Sequence, residues 1–378
     1  MITLRSGTPE EAELDPGRLA AVEALLAEGV RDGVFPGAVA LVARGGVVGW
    51  QHAAGWAQLT PSQRPAAPDT IYDLASLTKV TAALPVALAL VDRALLDLDA
   101  PVRALLPEFT GGARDLVTFR HLLAHTSGLP AWRALYLRAA ARAEVLRVIC
   151  DEPLVADPGA LVEYSDLGII LLGFAMERAL GVRIDALVRE YVTAPLGLRE
   201  TMYTPPPELW GRCAAAEVGH RYEREKVGEE GREHSWREEV LCGEVHDGNT
   251  YYAMEGVAPH AGLFSTAREV AEVAFQWLRP GGLLSAAAVA DATTDQRAGA
   301  AGYPRGLGWV LHHEGVFFDA FGPRSFGHTG FTGTSVAVDP DQDLVAVLLT
   351  NRVHLGGSNT KIQEFRPRFH RAVREALR

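Results

Sequence analysis

Strand-forming runs stand at the two ends of this chain, and helical patterning fills the space between them. Ala38-Val39-Ala40-Leu41-Val42 and Val47-Val48-Gly49-Trp50 are short apolar runs joined across Gly45-Gly46, a dipeptide that accepts the positive φ angles of a tight hairpin. A further strand is read near Ile71-Tyr72. Strands return after about Gly302, at Gly308–His312, Thr332–Val338 and Leu344–Leu349, the last two joined by Asp339-Pro340-Asp341-Gln342-Asp343. From Ser76 to about Leu284 the apolar positions recur at helical spacing, over Val80–Leu95, Arg120–His125, Trp132–Val148, Gly168–Leu180, Ile184–Tyr191 and Ala267–Leu278. Amphipathic helices also open and close the chain, at Pro16–Val30 and Lys361–Leu377. With no internal repeat visible, the simplest architecture is discontinuous. Residues 1–75 and 302–378 form one antiparallel sheet covered by the two terminal helices, and residues 76–301 form a mainly helical lobe. The site is expected where the two meet, because ligand clefts favour such interfaces.

Composition narrows the function class. The 378 residues suit one large or two modest domains, and 48% hydrophobic with 22% charged residues excludes a disordered or fibrous chain. A net charge of −11 requires any nucleic-acid or anionic-membrane surface to be a local patch, and the sequence shows none. Cys150, Cys213 and Cys242 are odd in number, widely spaced and without a C-x-x-C pair, which argues against a zinc ribbon or a disulfide framework and fits a reducing compartment. Glu10, Glu11, Glu13 and Asp15 stand where a signal peptide needs an apolar core, and the most apolar run, Val80–Val91, is too short to span a bilayer. A cytoplasmic protein without a membrane span is expected.

Ser76-Leu77-Thr78-Lys79 opens the first helix of the central stretch. Positions i and i+3 share a helix face, so the ammonium reaches the hydroxyl and stabilises its alkoxide, and the helix N-terminus adds partial positive charge at the same end. The apolar run that follows makes this helix buried, which favours the neutral form of Lys79 and would let it exchange protons near neutral pH. Only Lys79, Lys226 and Lys361 are lysines among 36 basic residues. Arginine keeps its proton under protein conditions, so a proton-handling site needs lysine even in a chain that otherwise uses arginine. A second S-x-x-K, Ser358-Asn359-Thr360-Lys361, precedes a helix with Gln363, Glu364 and Arg366 on its exposed side, and is read as an N-cap with a solvated lysine. Taken alone, Ser76 fits that capping role as well as it fits catalysis.

Two further elements separate those readings. Glu163-Tyr164-Ser165-Asp166-Leu167-Gly168 lies at a loop-to-helix junction, and Gly327-His328-Thr329-Gly330-Phe331 starts a C-terminal strand. With Ser76-x-x-Lys79, and in this order, they resemble the serine β-lactamase and penicillin-binding-protein superfamily, particularly its class C-like branch of esterases, D-peptidases and lactamases. Its marks are S-x-x-K, then Y-x-N or a variant, then K-T-G or H-x-G. Phe35-Pro36-Gly37, the run Arg120–Leu129, Pro195-Leu196-Gly197-Leu198, the run Gly262–Thr266 and Asn351-Arg352 look like further landmarks of that branch.

The resemblance implies an α/β plus all-α fold, with a sheet built from both chain ends around a helical lobe. It also implies a serine hydrolase that acts through an acyl-enzyme, without cofactor or metal, on small-molecule ester, lactam or peptide substrates. Ser76 would attack the carbonyl, Lys79 and Tyr164 would share its proton, and the backbone N–H groups of Ser76 and Phe331 would bind the oxyanion. His328 and Gly330 would line the strand edge, with His328 in place of the K-T-G lysine and Asp166 where lactamases usually have asparagine. A carboxylate only accepts hydrogen bonds whereas an amide also donates, and loss of the lysine removes a fixed charge for a β-lactam carboxylate. Both departures point to an esterase. A β-lactamase or D-amino-acid peptidase on the same residues is the first rival, and a catalytically inactive scaffold is the rival of another class.

The remaining signals are weaker. Tyr222–Glu239 is dense in charge and is read as a solvated surface insertion rather than a binding element. His121 and His125 have metal-compatible spacing but no H-E-x-x-H context, so no metal is assigned. His246, Asp247 and His260 fall in loops that line the cleft in related esterases or are simply surface polar loops. No phosphate-binding glycine motif supports a nucleotide cofactor. The arginines from Arg366 to Arg378 read as a solvated helix face.

Overall fold

The computed structural model describes residues 2–378. Strands β1 (Gly37–Arg44) and β2 (Val47–Gln58) form the N-terminal hairpin, turning through Gly45 and Gly46 at φ +61° and +80°. Strands β3 (Phe326–Thr329), β4 (Ser335–Asp339) and β5 (Leu344–Thr350) come from the C-terminal end. They pair antiparallel in the order β2-β1-β5-β4-β3, with Ala38 opposite Thr350 and Arg44 opposite Leu344 where the two chain ends join. Short strands at Arg5–Ser6, Arg64–Pro65 and Val310–Leu311 extend the sheet to eight strands.

Helices that frame the sheet and the cleft are α1 (Pro16–Arg31), α2 (Leu84–Asp92), α3 (Asp166–Leu180), α4 (Arg221–Val227), α5 (Ala267–Phe275) and α6 (Ile362–Glu375). The sheet strands are apolar at nearly every position because both faces are covered. Ala38, Ala40 and Val42 point to α1 and α6, where Leu19, Val22, Phe365 and Phe369 complete one core. Val39, Leu41, Val345 and Val347 point the other way, into the core shared with the helical region. No helix among the described residues is long and apolar enough to cross a membrane.

Three local expectations are corrected. Helix α5, read as part of the helical lobe, lies against the sheet, where Val270, Ala271 and Ala274 cover the face that α1 and α6 leave open. The expected helix at Trp132–Val148 is instead a short turn at Leu135–Leu137 followed by a helix at Arg142–Asp151. There the Asn249 amide accepts from Leu135 N at 2.8 Å and donates to Arg133 O at 2.8 Å, holding the segment out of helical geometry. The helix after Ser76 begins with a π turn, Lys79–Ala83, in which Leu84 N reaches back to Lys79 O. Pro85 has no N–H to give to the ordinary ladder, which favours this wider turn.

Candidate active site

Ser76 follows a short strand, Tyr72–Asp73, that pairs with Leu263–Ser265. The elbow between strand and helix is held at every step. Asp73 accepts from Ala75 N at 2.9 Å and from His246 N at 2.7 Å, and its own carbonyl accepts from Thr332 Oγ1 at 2.8 Å. Ala75 sits at φ +47°, a conformation that costs a non-glycine residue roughly 1–3 kcal/mol and persists only where the surroundings enforce it. The result is a serine hydroxyl presented at the floor of a cleft of about 540 Å³.

Lys79 is buried, with 1% of its side chain exposed, and its Nζ has three partners. Ser76 Oγ lies at 3.0 Å, His260 O at 2.9 Å and Asp166 Oδ1 at 2.7 Å. Ser76 Oγ and His260 O accept hydrogen bonds from the ammonium, and the Asp166 carboxylate stands in ion-pair contact with it. Burial opposes the charge, yet Asp166 and then Tyr164 outweigh it and raise Lys79 above the ordinary lysine value. The expectation of a neutral Lys79 is therefore corrected, because the residue that replaces the usual asparagine is a carboxylate placed to keep the lysine charged. Asp166 is the first residue of α3, where the helix dipole also favours a negative group.

Tyr164 precedes the N-cap of that helix. Ser165 accepts from Gly168 N at 3.2 Å and donates to Pro130 O at 2.7 Å, while its N–H donates to His125 Nδ1 at 3.1 Å. The Tyr164 ring lies 5.0 Å from Lys79 Nζ and 5.3 Å from the Arg305 guanidinium carbon, and its buried hydroxyl has no partner among the described residues. Burial, followed by the nearby Arg305 and Lys79 charges, holds both His125 and His328 well below the ordinary histidine range. His328 Nδ1 lies 2.9 Å from Thr329 O, an acceptor, so Nδ1 carries the proton and Nε2 is left as a buried lone pair. A neutral His328 cannot replace the charge of a lysine.

The wall opposite Ser76 is the turn after β3, so Gly327–Phe331 ends a strand rather than starting one. Thr334 Oγ1 donates to Leu74 O at 3.0 Å, tying the turn to the serine elbow. A Cβ on Gly330 would stand 2.4 Å from that same carbonyl, so only glycine lets the strand approach. The backbone N–H groups of Ser76 and Phe331 donate to no group among the described residues.

A family model described as Beta-lactamase matches residues 22–366. The chain belongs to the beta-lactamase family. A protein of Escherichia coli (strain K12), provisionally named a D-alanyl-D-alanine carboxypeptidase, is 30% identical over 93% of this chain and 86% of its own length. Two solved structures share the fold at TM-score 0.73. One, EstCE1, described as a hydrolase with promiscuous acyltransferase activity, is 23% identical and covers 94% of this chain and 99% of its own. The other, a penicillin-binding protein homologue from Caulobacter crescentus, is 22% identical and covers 96% and 99%. As a member of the beta-lactamase family, the protein is a serine hydrolase with the fold that the sequence landmarks implied.

Ser76, Lys79, Tyr164, Asp166, His328, Gly330 and Phe331 thus gather at one cleft of this beta-lactamase-family chain. The alternative S-x-x-K does not assemble in the same way. Ser358 caps nothing in α6, and Lys361 Nζ turns away to donate to Asp32 O at 2.8 Å. The charged insertion is not wholly solvated. Tyr222 packs on Phe331 with ring centroids 5.0 Å apart, Lys226 stands 3.6 Å over the Trp132 ring, and the buried Glu223 accepts from Gly248 N at 2.8 Å. His246, Asp247 and His260 line the cleft, as the first of the two readings of their loops has it, with His260 Nε2 3.1 Å from Asp247 Oδ1. His121 and His125 accept from separate backbone amides, those of Thr118 and Ser165. Arg305, which no sequence pattern marks, and Arg366, expected on an exposed helix face, both line the cleft, because an arginine's role here depends on which partners it lacks.

Proposed function

We propose that Ser76 is the nucleophile of an acyl-transfer reaction on small esters, carried by one observation: Lys79 Nζ bridges Ser76 Oγ at 3.0 Å and Asp166 at 2.7 Å. The ammonium stabilises the developing alkoxide. Tyr164, flanked by Lys79 and Arg305, is the base that takes the Ser76 proton as the Oγ–carbon bond forms, then passes it to the leaving oxygen as the bond between the acyl carbon and that oxygen breaks. Water repeats the sequence with the acyl-enzyme, returning free Ser76 and a carboxylic acid. The N–H groups of Ser76 and Phe331 receive the oxyanion. The three free thiols fit a cytoplasmic setting.

A second reading, a D-amino-acid carboxypeptidase, is favoured by Arg305. Its guanidinium makes no ion pair or hydrogen bond among the described residues and lies in the cleft beside the neutral His328. It is a cation suited to a substrate carboxylate. The test is to assay p-nitrophenyl butyrate, nitrocefin and a D-Ala-D-Ala peptide side by side. Ester turnover above nitrocefin turnover is expected, and the reverse would overturn the esterase ranking. In Arg305→Met, the peptide-to-ester ratio of kcat/KM is expected to fall about tenfold, the size of one lost charge-assisted hydrogen bond. An unchanged ratio removes Arg305 from carboxylate recognition.

A further inference from the structure

Helix α6 carries a residue that its amphipathic pattern misplaces. Arg366 is 92% buried, against the expectation of an exposed position, and its Nη2 donates to Gly330 O at 2.9 Å and Thr334 O at 3.0 Å. Its Nε has no partner among the described residues, and no carboxylate stands among the groups that act on it. Burial, with Arg352 adding to it, brings its pKa down to about 9. Keeping a guanidinium buried without a counter-ion is costly, so packing alone does not account for it.

Nor does the turn need it as a brace. Residues 330–334 are already held by Gly330 N to Thr334 O at 2.8 Å, Gly333 N to Gly330 O at 3.1 Å, Thr332 Oγ1 to Asp73 O at 2.8 Å and Thr334 Oγ1 to Leu74 O at 3.0 Å. What Arg366 adds is charge at two carbonyls, and one of them, Gly330 O, leads to the oxyanion site. The Gly330 C=O belongs to the same planar peptide group as the Phe331 N–H. A cationic donor on the oxygen draws electron density through that group and makes the N–H a stronger donor, as in any hydrogen-bonded chain of peptide dipoles.

We propose that Arg366 is a positioning residue for the oxyanion site, polarising and fixing the Gly330–Phe331 peptide so that the Phe331 N–H meets the charge that develops on the substrate carbonyl oxygen. This rests on the reading of Ser76 as nucleophile and of the Phe331 N–H as an oxyanion donor. The residue acts through the peptide and does not itself touch the reacting atoms.

The test compares wild type, Arg366→Met and Arg366→Lys, with Ser76→Ala alongside, by ester kinetics, thermal unfolding and the infrared carbonyl stretch of the acyl-enzyme. In Arg366→Met, kcat for p-nitrophenyl butyrate is expected to fall about tenfold or more, below the roughly 10²–10³ that a whole oxyanion donor is worth. KM should hardly move, Tm should be unchanged or higher, and the acyl carbonyl stretch should shift to higher wavenumber. Arg366→Lys, which keeps a cationic donor on a shorter side chain that places its nitrogen differently from Nη2, should fall between. A wild-type kcat and stretch in Arg366→Met overturns the proposal, as does a rise in KM confined to carboxylate-bearing substrates, which would make Arg366 a substrate ligand. If Arg366→Met does not fold, an Arg366→Lys stretch identical to wild type overturns it. An acyl-enzyme that still forms in Ser76→Ala defeats the underlying reading instead.

Discussion

Ser76→Ala is expected to lower ester turnover by about 10⁴-fold or more, since losing the nucleophile of a cooperating set costs nearly as much as losing the whole set. The fold should survive. Ser76 Oγ accepts one hydrogen bond from Lys79, while the elbow itself is held by Asp73, Thr332 and Thr334 through backbone and neighbouring groups. Unfolding temperature should therefore stay near wild type, and kinetics with p-nitrophenyl butyrate checks the loss. Activity within tenfold of wild type, in folded protein, would remove Ser76 from the chemistry and send attention to the remaining hydroxyls of the cleft.

The second large effect is at Lys79. Lys79→Met takes away the donor to Ser76 and leaves Asp166 facing a buried methyl group. A loss of about 10²–10⁴-fold in kcat/KM is expected, the range of a positioned proton-handling group. Stability should also drop, toward the lower end of about 3–5 kcal/mol for breaking one side of a buried pair, because Asp166 keeps 17% of its side chain exposed. Thermal or urea unfolding measures this.

Asp166→Asn separates charge from contact at the same site. In the native protein Lys79 lies above its ordinary value, so the pair's contribution to stability is complete below about pH 10 and is lost only as pH rises through the folded-state value. Between pH 6 and 9 this pair should give no slope. Removing the carboxylate leaves burial as the main influence, and burial pushes lysine down. The alkaline limb of kcat/KM should accordingly move toward neutral pH in Asp166→Asn. An alkaline limb shared by both proteins would show that Asp166 does not set the charge of Lys79.

Local strings and their order were legible in the sequence, and contacts that only folding creates were not. The sheet was legible because the strand runs sit at both ends and Gly45-Gly46 fixes a hairpin between two of them. The family landmarks were legible because they are local strings in a fixed order. The protonation of Lys79 was not, since it depends on an oxygen of Asp166 that only the fold brings within 2.7 Å. The helical period places Arg366 beside Ile362 and Phe369 as readily as beside Gln363, and only its approach to the Gly330 turn decides between them. Tyr222–Glu239 is charged on average, yet Tyr222 and Glu223 turn into the cleft wall while most of their neighbours face water. Composition averages over the alternation that matters there. Helix α5 was misplaced for a related reason: its apolar stripe says that it is covered, but not whether by helices or by a sheet.

Which hydroxyl is acylated decides the chemistry of the cleft. The direct measurement is to label the folded protein with a fluorophosphonate and map the modified peptide by mass spectrometry. The expected result is a single adduct on Ser76, absent from Ser76→Ala and forming more slowly in Lys79→Met. An adduct on Ser358, or one that persists in Ser76→Ala, would contradict it.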